Sequence, residues 1–151
     1  MRHSLTIFCL VMLFGAILPV SAANADQTFH SERIPLMPVG SAPLQTGFVV
    51  DIHANGPQIY ALERYVLVGS VPNSTFSVST SAWFTPGCTG APFIVLPDAT
   101  FMTNAAGNGE GSSVIRPAVV QGLHGTTLYL IWTVTNGSAT YRTACITVPL
   151  D

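Results

Sequence analysis

Beyond Thr46 the chain alternates apolar and polar residues with a period of two, in short runs broken by glycine, proline and asparagine. That period belongs to β-strands, whose successive side chains point to opposite faces. Phe48, Val50, Ile52 and Ala54 alternate with Val49, Asp51 and His53, which predicts a half-buried strand with Asp51 and His53 turned outward to water. Asn55-Gly56-Pro57 ends it. A second strand is expected over Ile59 to Gly69, and Pro72-Asn73 then turns the chain. The third is the cleanest: Phe76, Val78, Thr80, Ala82 and Phe84 form an inward face, Ser77, Ser79, Ser81 and Trp83 an outward one. A loop at Thr85–Gly90 leads to strands near Phe93–Leu96 and Thr100–Thr103, and the turn from Asn104 to Gly109 leads to another near Ser112–Arg116. Thr126 to Thr135 places Leu128, Leu130, Trp132 and Val134 on one face. Asn136-Gly137 is a hairpin signal, and Ala139 to Val148 returns. No stretch reads as a helix. Seven or eight short strands predict an all-β, antiparallel β-sandwich of the immunoglobulin-like kind.

The first 46 positions follow another logic. Arg2 and His3 precede an almost unbroken apolar run from Leu5 to Val20, and Ser21-Ala22-Ala23-Asn24-Ala25 offers small residues for cleavage. This is the layout of a secretory signal peptide over 1–25, and the run is short for a membrane span. Pro35, Pro38 and Pro43 then mark 26–46 as a Pro-rich arm, either an edge strand or a tether. The sandwich domain is expected over 47–151. Cys9 leaves with the leader, so the exported chain keeps Cys88 and Cys145. An even cysteine count in an oxidising compartment reads as one disulfide. The expected location is secreted or periplasmic.

Composition narrows the partners. Only 8% of the residues are charged, against about 25% in an average domain, and there is no lysine. Without the leader, four arginines (Arg33, Arg64, Arg116, Arg142) face seven acids, a net charge of −3. No clustered basic face exists for nucleic acid or for an anionic membrane.

Two local strings carry a resemblance. Val71-Pro72-Asn73-Ser74-Thr75-Phe76-Ser77-Val78 is similar to the corner that introduces a late strand in fibronectin type III domains, and Leu123 to Leu130 has a similar shape. Thr103 to Gly109 resembles a turn of uncharacterised exported bacterial β-proteins. The resemblance implies a sandwich fold and carries no activity with it.

Candidate chemistry is sparse. His30, His53 and His124 form no His-x-His pair, so no metal site and no cofactor is expected. Asp51, Glu63, Asp98 and Glu110 are spread over strands and turns, without the convergence a glycosidase needs. Asp51 and Arg64 are placed to meet as a surface pair. Gly107-Asn108-Gly109-Glu110-Gly111 precedes a strand and not a helix, which makes it a turn rather than a phosphate loop. Asn104, Asn108 and Glu110 lack the acid-rich spacing of a calcium loop. Trp132 falls in the core. Trp83, on the serine face beside Phe84, offers an aromatic binding surface for a protein or carbohydrate ligand. The expectation is an exported, non-catalytic binding or structural module. The alternative is a small secreted or periplasmic enzyme, or a metal-binding protein, with a site assembled from distant residues.

Overall fold

The computed structural model describes residues 28–55, 61–115, 121–123 and 125–150. The leader at 1–25, the Gly56-Pro57 break, Arg116 and His124 lie outside them. Ten strands are described: β1 (Thr28–Pro35), β2 (Met37–Pro38), β3 (Thr46–Asn55), β4 (Ala61–Val68), β5 (Thr75–Trp83), β6 (Ile94–Met102), β7 (Gly109–Ile115), β8 (Thr126–Thr135), β9 (Thr140–Arg142) and β10 (Ile146–Leu150). They form two antiparallel sheets. One has the order β1-β3-β4-β7; the other runs β2-β9-β8-β5-β6, with β10 also paired to β8. Among the described residues no helix is long and apolar enough to cross a membrane.

The segment read as an arm belongs to the sandwich. β1 pairs with β3 along its whole length, from Thr28 opposite Asn55 to Pro35 opposite Phe48. β2 then pairs with β9 in the other sheet. Both are edge strands, where a proline's missing amide leaves no ladder bond broken. Buried Ile34 and Leu36 anchor the crossing from one sheet to the other. These two strands, and the division of the last strand into β9 and β10 by Thr143–Cys145, raise the count above seven or eight.

One end of the interior is densely packed. Ile34, Val49, Tyr65, Leu67, Phe76, Val78, Phe101, Trp132, Val134 and Tyr141 form its cluster. The Phe76 ring lies 6.0 Å from Phe101 and 5.7 Å from Tyr141 between centroids, within the range of favourable aromatic pairs. The turn between β6 and β7 closes this end. Asn104 Oδ1 accepts the amides of Ala106 and Asn108, and Asn108 Oδ1 accepts that of Gly69. Gly107 sits at φ +75°, where a Cβ would stand 2.1 Å from the Ser70 carbonyl oxygen, so only glycine fits.

The two strands expected near Phe93–Leu96 and Thr100–Thr103 are one, β6. Val78 faces Ala99 and Ser79 faces Pro97, which leaves Asp98 as the extra residue of a β-bulge. Cys88 and Cys145 are joined, with an S–S distance of 2.07 Å and Cα atoms 5.8 Å apart. The bond ties the loop after β5 to the start of β10.

Candidate functional site

The other end of the interior is less full. Here β3, β4 and β5 turn polar side chains inward, facing an apolar cluster of Leu128, Val148 and Leu150 with Leu123, Leu130 and Ile146. Between them lies a partly enclosed cavity of about 100 Å³. Its walls include Phe93, Leu96, Leu128, Leu130, Val148 and Leu150, and its floor is Asp51, His53, Glu63 and Thr80.

The floor corrects the phase expected for β3. Val49, Asp51 and His53 face inward, with Asp51 3% and His53 5% exposed, while Phe48, Val50 and Ile52 lie on the half-covered outer face. The pairing of β3 with β4 sets Asp51 directly opposite Glu63, which is 1% exposed. Arg64, one residue on, points out and pairs with exposed Glu110 at 2.5 Å rather than with Asp51. Strand alternation makes the two arrangements mutually exclusive.

Each floor group has a distinct environment. Asp51 Oδ2 lies 3.1 Å from His53 Nδ1, both buried. Tyr65 donates its hydroxyl proton to Glu63 Oε2. Burial pushes the Glu63 carboxyl up to about 8, helped by the nearby Asp98 charge and opposed by the Tyr65 donor. Burial, then the neighbouring acids, also push the Tyr65 phenol up, so it stays protonated. The bulge aims Asp98 inward, where it accepts from Thr80 Oγ1 at 2.5 Å. Burial raises that carboxyl to about 6 against the opposing Thr80 bond. The Trp132 indole N–H is buried and makes no hydrogen bond.

Chemically, the floor holds a carboxylic acid that is neutral near pH 7, a second carboxyl that titrates just below it, and the hydrogen-bonded Asp51–His53 pair. Such an arrangement can hydrogen-bond or charge-pair a ligand head, and it can move a proton.

The other candidates fall elsewhere. Trp83 is 6% exposed and donates its indole N–H to the Gly90 carbonyl at 3.1 Å, so it is not a surface aromatic. The strict alternation of β5 ends at Ala82, after which Ala82 and Trp83 are both buried and Phe84 is 52% exposed. Phe84 stacks on Phe93 with centroids 4.2 Å apart. The backbone register sets His30 opposite His53. Among the described residues no three His, Cys, Asp or Glu side chains form a group that could hold a metal. Asn104 spends its side-chain oxygen within the turn, Asn108 spends its own on the Gly69 amide, and Glu110 serves Arg64.

Sequence reasoning placed Glu63 and Asp98 on no common site. For Asp98 the available signal was Pro97 inside an apolar strand, a mark of an edge strand or a bulge. Comparison with family models, with curated proteins and with solved structures finds no match.

Proposed function

We propose that this chain is an exported binding module that takes a small, largely apolar molecule with a polar head into the cavity between its sheets. One observation carries the reading: apolar walls close over a floor of buried polar groups. Binding sites have that composition, with few polar groups fixing orientation and apolar surface supplying affinity. An engineered apolar cavity of about 150 Å³ binds benzene, so the cavity here, at about 100 Å³, suits a ligand of roughly four non-hydrogen atoms. Export is supported by the Leu5–Val20 run with its small-residue cleavage site and by the disulfide. An immunoglobulin- or fibronectin-like lineage is supported by the two corner strings, which lead into β5 and β8, neighbours in one sheet.

The test uses protein purified from an oxidising compartment with its disulfide formed. Titration with short alcohols such as propanol, followed by methyl NMR, is expected to give saturable shifts at Leu128, Leu130, Val148 and Leu150. Shifts confined to exposed methyls away from the cavity, such as those of Met102 and Val114, or none at any ligand, would sink the reading.

A second reading, catalysis by proton transfer, is favoured by the Asp51–His53 hydrogen bond beside Glu63. A carboxylate-oriented imidazole next to a neutral acid supplies a base and an acid. Chemical conversion of a bound ligand by the native chain and not by His53→Gln would distinguish it from simple binding.

A further inference from the structure

We propose that the ligand is a linear amphiphile: a polar head on a hydrocarbon chain longer than the cavity itself. The head lies on the polar floor, and the chain leaves across the stacked rings of Phe93 and Phe84. This rests on the cavity being the binding site and names the class and orientation of what enters it.

The first observation is where Phe93 stands. It lines the cavity and, at 43%, is more exposed than any other described residue of the lining, while Asp51, His53, Glu63 and Thr80 of the floor are buried. Part of its side chain therefore belongs to the cavity wall and part to the surface, which makes it the lip of the site. At about 100 Å³ the cavity takes roughly four non-hydrogen atoms, a head and about three carbons. Four atoms are too few for a six-membered ring, so what fits is a single chain. A longer chain has to continue past the lip.

The second observation is the surface that begins there. Phe84 stacks on Phe93 with centroids 4.2 Å apart and is 52% exposed, so apolar surface runs on from the cavity wall to the outside. The pair is fixed by its neighbours. The Phe93 amide donates to the Ala82 carbonyl at 2.9 Å, which holds the start of β6 beside the end of β5. Trp83, next to Phe84, is buried and donates to the Gly90 carbonyl across the intervening loop, and the Cys88–Cys145 bond anchors that loop. A platform already in place loses little freedom when a chain settles on it, so contact area is converted to affinity.

Polarity sets the orientation. The floor supplies groups that a polar head can hydrogen-bond. The stretch that carries both rings, Val71 to Pro97, contains no charged residue and no histidine. A head held at the lip would leave the floor facing hydrocarbon, and polar groups buried against hydrocarbon are costly. The opposite placement matches like with like at both ends.

The test is a series of straight-chain alcohols, from propanol through butanol and hexanol to octanol, titrated calorimetrically into the disulfide-bonded protein. Affinity is expected to keep rising beyond propanol by about twofold per carbon, half the free energy of full burial, because the platform covers one side of the chain. From butanol to octanol that amounts to roughly sixteenfold. Phe84→Ala changes an exposed ring outside the cavity wall. It should leave propanol binding unchanged and cut the butanol-to-octanol gain to about fourfold or less. In the native protein the terminal methyl of octanol should give NOEs to the Phe84 and Phe93 rings, and its C1 protons to the His53 ring. The reverse NOE pattern would overturn the proposal. So would affinity that levels off after propanol, or a gain that Phe84→Ala does not alter; both leave the cavity reading intact. A dimer that dissociates in Phe84→Ala on sedimentation, with the alcohol series unchanged, would assign the platform to a second copy of the chain and overturn the proposal. Failure of every alcohol to bind would overturn the two readings together.

Discussion

At the scale of single residues, Glu63 has the largest consequence. Its carboxyl moves from an ordinary 4.5 to about 8 on folding, with burial as the main cause. Between those values the folded chain holds a proton that the unfolded chain has released. Stability from this group is therefore complete below about pH 4.5 and is lost as pH rises through 8, by an amount on the order of a few kcal/mol. Asp98, raised from 3.8 to about 6, has the same sign in a lower window. Glu63→Gln keeps an oxygen for the Tyr65 hydroxyl and removes the titration. Thermal melts at pH 5 and pH 8 should show the native chain losing several degrees more than the variant over that interval. Equal losses would mean that Glu63 ionises normally in the fold. The same residues explain what a sequence reading misses here. Val49, Asp51 and His53 are together less apolar than Phe48, Val50 and Ile52, so amphipathic logic puts the wrong set inside. A site that needs polar groups in the interior inverts the pattern, which is where local rules are expected to fail.

At the scale of elements, most of the sandwich is legible because strand period and turn chemistry agree. Thr126–Thr135 and the Asn136-Gly137 turn are found as the sequence predicts, and so is the Asn104–Gly109 turn with its forced glycine. The errors are in places where an element changes course. The bulge at Asp98 fuses two expected strands into one, and a bulge has no period of its own to detect. The prolines of β1 and β2 look like breakers until their edge positions are known. The disulfide was legible from cysteine parity alone, and it closes a sequence separation of 57 residues. In the chain-entropy picture that constraint contributes about 4 kcal/mol. Replacing both cysteines by serine should lower the melting temperature by about 10 °C or more. A melt within a degree or two of the native one would show that the unfolded chain gains no freedom from losing the bond.

At the scale of the whole molecule, the interior is divided between a packed end and an open one. Phe76, Phe101, Trp132 and Tyr141 fill the first, while small Ala61 and Ala82 line the second. Interiors are normally filled to the density of organic crystals, so a cavity left beside well-packed aromatics costs stability. The open end is expected to serve binding, and filling it should therefore separate stability from function. Ala82 is the position to test: it is buried, it sits on the inner strand β5 between β8 and β6, and its side chain faces the cavity. Ala82→Val adds two carbons to that space, worth about 1–1.5 kcal/mol if they are accommodated without strain. The variant should melt a few degrees higher while its affinity for short alcohols falls, since they use the same walls. Raised stability with unchanged affinity would place the ligand elsewhere on the molecule. Lowered stability would mean that the cavity is too narrow at β5 to accept even a methyl pair, and Ala61→Val on β4 would then repeat the test from the opposite wall.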